Sequence, residues 1–93
     1  MSDDPDFPTA NHALQVLRQA RLSRPDAAAK MLADLVYEMA GAGERTPEIE
    51  DARQAAWATI STLAKTLKEE GFAAPALWKA ALGATEAWIE LLD

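Results

Sequence analysis

The stretch that decides the fold runs from Ser23 to Met39: SRPDAAAKMLADLVYEM. Ala28, Met31, Leu32, Leu35, Val36 and Met39 fall at the i, i+3, i+4, i+7 spacing of a single helix face without a miss. Its start is written into the same residues, with Ser23 as a capping hydroxyl, Pro25 tolerated in the first turn and Asp26 suited to the positive end of the helix dipole. Gly41 and Gly43 follow the last apolar position and stop it, because a left-handed residue past the last turn costs glycine least. The spacing predicts an amphipathic helix over 24–40.

The same period extends to both sides. Upstream, Ala10, Ala13, Leu14, Leu17 and Ala20 predict a helix over 10–22 with Thr9 as its cap. Downstream, Thr46, Pro47 and Glu48 announce a third helix that runs unbroken over 47–70 to Gly71, roughly 36 Å at 1.5 Å per residue. A fourth is expected over 75–92 with Gly83 in its middle, a tolerated glycine in an alanine-rich helix that costs about 1 kcal/mol relative to Ala. Val occurs twice and Ile three times, too few for a sheet. The fold class is therefore all-α: a compact four-helix bundle forming one domain over 9–93, up-and-down where loops are short, with the third and fourth helices as its central pair. Residues 1–8, with three Asp and two Pro, read as a short disordered acidic tail. Since the first helix reaches only about 20 Å, one end of the third is left to project or to be covered by something else.

Two faces carry the packing problem. On the third helix Ile49, Arg53, Ala56, Trp57, Ile60, Leu63, Ala64 and Leu67 share one side, and Arg53 is its only polar member. A buried guanidinium without a carboxylate is costly, so Arg53 is expected either to stretch over the core to water or to pair with an acid. On the fourth helix Trp78, Ala81, Leu82, Thr85, Ile89 and Leu92 make one stripe, and Leu77, Ala81, Ala84, Trp88 and Leu91 make another beside it. That arc exceeds the roughly 100° a surface helix buries, so this helix is expected to be covered on two sides, by its bundle neighbours or by a second molecule. Leu77, Trp78, Trp88, Leu91 and Arg53 are the candidate protein-interface residues, and the wide arc together with the overhang favours a homodimer.

The charge balance narrows the function. Nine Lys and Arg against fifteen Asp and Glu in 93 residues give a net charge of −6, the opposite of a nucleic-acid-binding surface. By segment the charge is −3 over 1–8, +1 over 9–43, −2 over 44–71 and −2 over 72–93, so no segment is charge-extreme. With no Cys there is no disulfide or thiolate chemistry, and with neither a membrane span nor a secretory signal in the sequence the expected location is cytoplasmic. His12 is the one His, and positions 8, 9, 15 and 16 hold Pro, Thr, Gln and Val, so no acid stands beside it on its own helix. Glu48, Glu50, Asp51, Glu69 and Glu70 sit at helix ends, where the first three complement the dipole. No phosphate-binding loop or nucleophile motif occurs. The expectation is a protein that is not an enzyme and uses no metal or cofactor.

What remains is a small acidic helical protein-interaction module, a regulator, adaptor or inhibitor whose acidic residues steer it to a basic partner surface and whose Trp anchors the contact. In size and balance the chain is similar to bacterial immunity proteins, antitoxin partners and phage-encoded inhibitors, a likeness of architecture that rests on no motif. Two alternatives carry their own expectations. A helical DNA-binding regulator would present Arg18, Arg21 and Arg24 on an exposed face, and a small-ligand-binding bundle would enclose a cavity lined by Trp57, Trp78 and Met39.

Overall fold

Residues 6–40 and 45–92 are described by a computed structural model of the chain. They form four helices, α1 (Phe7–Arg21), α2 (Pro25–Met39), α3 (Pro47–Glu70) and α4 (Pro75–Leu92), with no strand among the described residues. Every helix carries Pro at its first or second position, where the missing N–H is one the helix could not have used. The expectations placed on residues 1–5, Gly41 and Gly43 lie outside the described residues.

Local chemistry moved two of the starts. α1 begins at Phe7, inside the stretch expected to be tail, and Thr9 sits in its first turn instead of capping it. Asp6 is the N-cap residue, but its carboxylate caps nothing; it is drawn to Arg45, while its carbonyl accepts from the Ala10 N–H at 2.9 Å. Ser23 does not cap α2 either. Its hydroxyl donates back to the Gln19 carbonyl at 2.9 Å, which closes the end of α1, and Arg24 takes the N-cap position. The start of α3 is as expected: the Ile49 N–H donates to Thr46 Oγ1 at 3.3 Å, and Gly71 ends the helix at φ 76°.

Each helix packs against two others, in the pairs α1–α2, α2–α3, α3–α4 and α1–α4, and the diagonals do not touch. The connections at 22–24 and 71–74 are too short to cross the molecule, so the helices they join are antiparallel and the bundle runs up-down-up-down. The α3–α4 contact is the most extensive of the four, as expected for the third and fourth helices, within a square arrangement in which every helix has two neighbours. α3, with 24 residues, spans the 37 Å long axis of a molecule 22 × 21 Å across.

The core is built from Leu17, Leu32, Leu35, Met39, Ile60, Leu63 and Trp88, with Ala10, Ala13, Ala28, Ala56 and Ala81 leaving room for the indoles. Thr85 is the one buried polar residue among the described residues, and its hydroxyl donates to the Ala81 carbonyl one turn back at 2.8 Å. On α4, Trp78, Ala81, Thr85, Trp88 and Leu92 are buried, and Leu77, Leu82, Ala84 and Ile89 are half-buried against the core. α1 and α3 together cover most of both stripes and leave Leu91 exposed. Most of the apolar surface expected to need a second neighbour is thus covered inside one chain.

Candidate interaction surface

Of the five candidate interface residues, Trp78 and Trp88 are core, Leu77 is half-buried, and Leu91 is 39% exposed. The physical reason is again the square: an arc of α4 too wide for one neighbour is the right width for two. Arg53 is half-buried and fully engaged. Its Nε donates to Glu50 Oε2 at 3.0 Å, its Nη2 to Glu50 Oε1 at 2.5 Å, and its Nη1 to the Met39 carbonyl at the end of α2 at 3.0 Å. Of the two outcomes expected for Arg53, pairing with an acid is the one the fold adopts.

That pair belongs to a larger cluster. Arg45 makes a two-pronged contact with Asp6 and lies 3.6 Å from Glu50 through Nη1. Side-chain exposure is 12% for Arg45, 13% for Asp6 and 14% for Arg53, so the contacts are shielded from solvent. The cluster fastens the start of α1, the end of α2 and the first turns of α3, and it covers the overhang of α3 foreseen from the helix lengths. The Arg53 guanidinium, with Gln54 adding a hydrogen bond at 3.1 Å, holds the Glu50 carboxyl down at about 2, and Glu50 in turn raises the Arg53 guanidinium above its ordinary value.

Trp57, assigned by periodicity to the core face of α3, lies instead on its shoulder. Ala56, Ile60, Leu63 and Leu67 mark the centre of the buried stripe, and Trp57 points about 90° away from it, 39% exposed. It faces α2, lining a shallow recess with Ala40, Arg53, Gln54 and Ala58. One turn further along both helices lies a separate groove of about 670 Å³ between α2 and α3, which shares no lining residue with the Trp57 recess. Ala29, Ala33, Val36, Ala64 and Ser61 line its interior, and Asp26, Lys30, Lys65, Lys68 and Glu69 form its rim. The Ser61 hydroxyl is out of reach of water there and has no hydrogen-bond partner. At the far end the groove meets a third recess bounded by Arg24, Pro25, Leu67 and Gly71. Next to those boundary residues in the chain are Leu22, 90% exposed, and Phe72, 66% exposed.

Folding also sorts the charge. The half of the bundle holding the α1–α2 and α3–α4 turns carries seven cations, Arg18, Arg21, Arg24, Lys30, Lys65, Lys68 and Lys79, against Asp26, Glu69 and Glu70. The opposite half carries Asp6, Asp34, Glu38, Glu48, Glu50, Asp51, Glu86 and Glu90 against Arg45 and Arg53. Described residues therefore contribute +4 at one end and −6 at the other. Segment sums along the chain hide this polarity because antiparallel helices interleave the two halves.

Chemistry elsewhere is sparse. His12 Nδ1 lies 3.0 Å from Glu38 Oε2, a partner contributed by α2 and 26 residues away, which a search of its own helix could not find. Both side chains are about half exposed, and such pairs contribute at most ~1 kcal/mol. No group of three His, Cys, Asp or Glu among the described residues could hold a metal ion, and no described helix is long and apolar enough to cross a membrane. Trp78 and Met39 are buried while Trp57 faces the outer recess, so these three do not line one cavity. Arg18, Arg21 and Arg24 are all exposed.

The fold and this surface define a class, a four-helix up-and-down bundle with a grooved face. Comparison of the chain with protein-family models, with curated proteins and with solved structures returns no match.

Proposed function

We propose that this protein is a non-enzymatic interaction module, a regulator, adaptor or inhibitor that holds a helix of another protein along the α2–α3 face. The observation that carries this reading is the α2–α3 groove itself, lined by Ala29, Ala33, Val36 and Ala64, with the half-exposed Trp57 about one turn beyond it on the same face. Small side chains let a second backbone approach closely, and a partly covered indole supplies the large contact area of an interface anchor. The α4 indoles, which looked the better anchors in the sequence, are already spent on the core.

The test is a selection of peptides from an unbiased helix-forming library against the full chain, followed by amide chemical-shift mapping of the selected peptides. Shifts concentrated on Ala33, Val36, Trp57, Ser61 and Ala64, together with loss of binding in Ala33→Arg, which fills the groove from one wall, support the reading. A footprint on the α1–α4 face, or no enriched peptide, defeats it. The exposed Arg18, Arg21 and Arg24 support the second reading, a nucleic-acid contact at the basic end, for which affinity would fall steeply with salt.

A further inference from the structure

The proposed docking groove differs in sign from the molecule that contains it. Although the chain carries −6 overall, the groove rim and its terminal recess hold Arg24, Lys30, Lys65 and Lys68 against only Asp26 and Glu69. All four cations lie toward the end of the groove remote from Trp57. On α3 the separation is eight residues to Lys65 and eleven to Lys68, or roughly 12 to 16 Å along the axis. The α2–α3 face thus offers an exposed indole beyond one end of the groove and a cationic rim at the other, with an apolar interior between.

Resting on the interaction reading above, we infer that the occupant of the α2–α3 groove is an acidic amphipathic helix of a partner protein, with a large apolar anchor at Trp57 and carboxylates about eight to eleven residues away facing Lys65, Lys68, Lys30 and Arg24. The opposite expectation, that a net-acidic chain seeks a basic surface, follows from total charge. Docking responds to the local sign at the contact, which is positive here. A second copy of this chain docked groove to groove in parallel would set cationic rim against cationic rim, and an antiparallel copy would set each rim against the Trp57 end, which carries no rim carboxylates of the groove. A nucleic-acid backbone would satisfy the rim but leave the apolar interior and Trp57 without a matching surface, since phosphate contacts cover charge and not hydrocarbon.

The library selection separates this inference from the reading beneath it. Peptides enriched on the wild-type chain are expected to share one large apolar residue and at least two Asp or Glu about eight to eleven positions from it. Selection on the Lys65→Glu, Lys68→Glu double variant, both exposed positions whose exchange leaves the core intact, is expected to invert that bias toward Lys and Arg. The wild-type peptides should bind the double variant at least about tenfold more weakly at low salt, and this difference should shrink as salt screens it. Enriched peptides that map to the groove without an acidic bias, or whose affinity the double variant leaves unchanged, overturn the acidic-helix inference while the interaction reading stands. Displacement of groove-bound peptide by a duplex DNA oligonucleotide, or a dimer that buries Trp57, overturns it as well.

Discussion

Glu50 shows how one carboxylate organises an end of the bundle. It accepts from Arg53 and Gln54 and lies beside Arg45, and the Arg53 hydrogen bonds above all bring its carboxyl from an ordinary 4.5 to about 2. A group whose pKa is depressed on folding contributes stability that is fully present above its unfolded value and is lost as pH falls toward the folded one. The gap in thermal midpoint between the wild-type chain and Glu50→Gln is therefore expected to be constant above about pH 5 and to close between pH 4.5 and about 2. A gap that stays constant through that window removes Glu50 from the acid response. Trp88 poses a different question, because its indole N–H is buried without an acceptor. Trp88→Phe removes the orphan donor while keeping most of the ring, so it should alter the urea-derived stability by no more than about 1 kcal/mol, against a loss of about 3 to 5 kcal/mol for Trp88→Ala.

At the level of the helix, the two described glycines do opposite work. Gly71 sits at φ 76° as the residue past the last turn of α3, where a Cβ is strained whatever the space around it. Gly83 lies inside α4 in ordinary helical conformation, exposed, with open space where a Cβ would stand. Gly71→Ala is expected to lower stability by about 1 kcal/mol and Gly83→Ala to raise it by about the same amount. Equal effects of the two substitutions in chemical denaturation would contradict this assignment. Thr46→Ala, which removes the side-chain cap of α3, should cost about 1 kcal/mol in the same measurement. Caps were legible where the side chain had no competing partner, as at Thr46. They were misread at Ser23, whose hydroxyl found the Gln19 carbonyl, and at Thr9, which lies inside a helix that starts earlier.

For the molecule as a whole, the arrangement of four helices in a square settles what each stripe is for. The doubled stripe of α4 is covered from two sides by α1 and α3 except at Leu91, so little apolar surface on that helix is left for a second copy. Sedimentation velocity across a wide concentration range is expected to show one species at monomer mass, and a concentration-dependent dimer would count against this account of α4. Charge behaves in the same way. The end-to-end polarity arises only when antiparallel helices bring Arg18, Arg21 and Arg24 level with Lys65, Lys68 and Lys79.

Helix number, approximate boundaries and the all-α class were decided by local information alone: the 3.6-residue recurrence of apolar side chains, the prolines at helix starts and the glycine at the end of α3. Periodicity places a residue on a face to within an arc, and it does not say how many neighbours that face will meet. The bundle decided that Trp88 is core and Trp57 is surface, that Arg53 is held by Glu50 and the end of α2, and that His12 faces Glu38. Each of these depends on which helices lie side by side, a relation between residues far apart in the chain that no local pattern encodes.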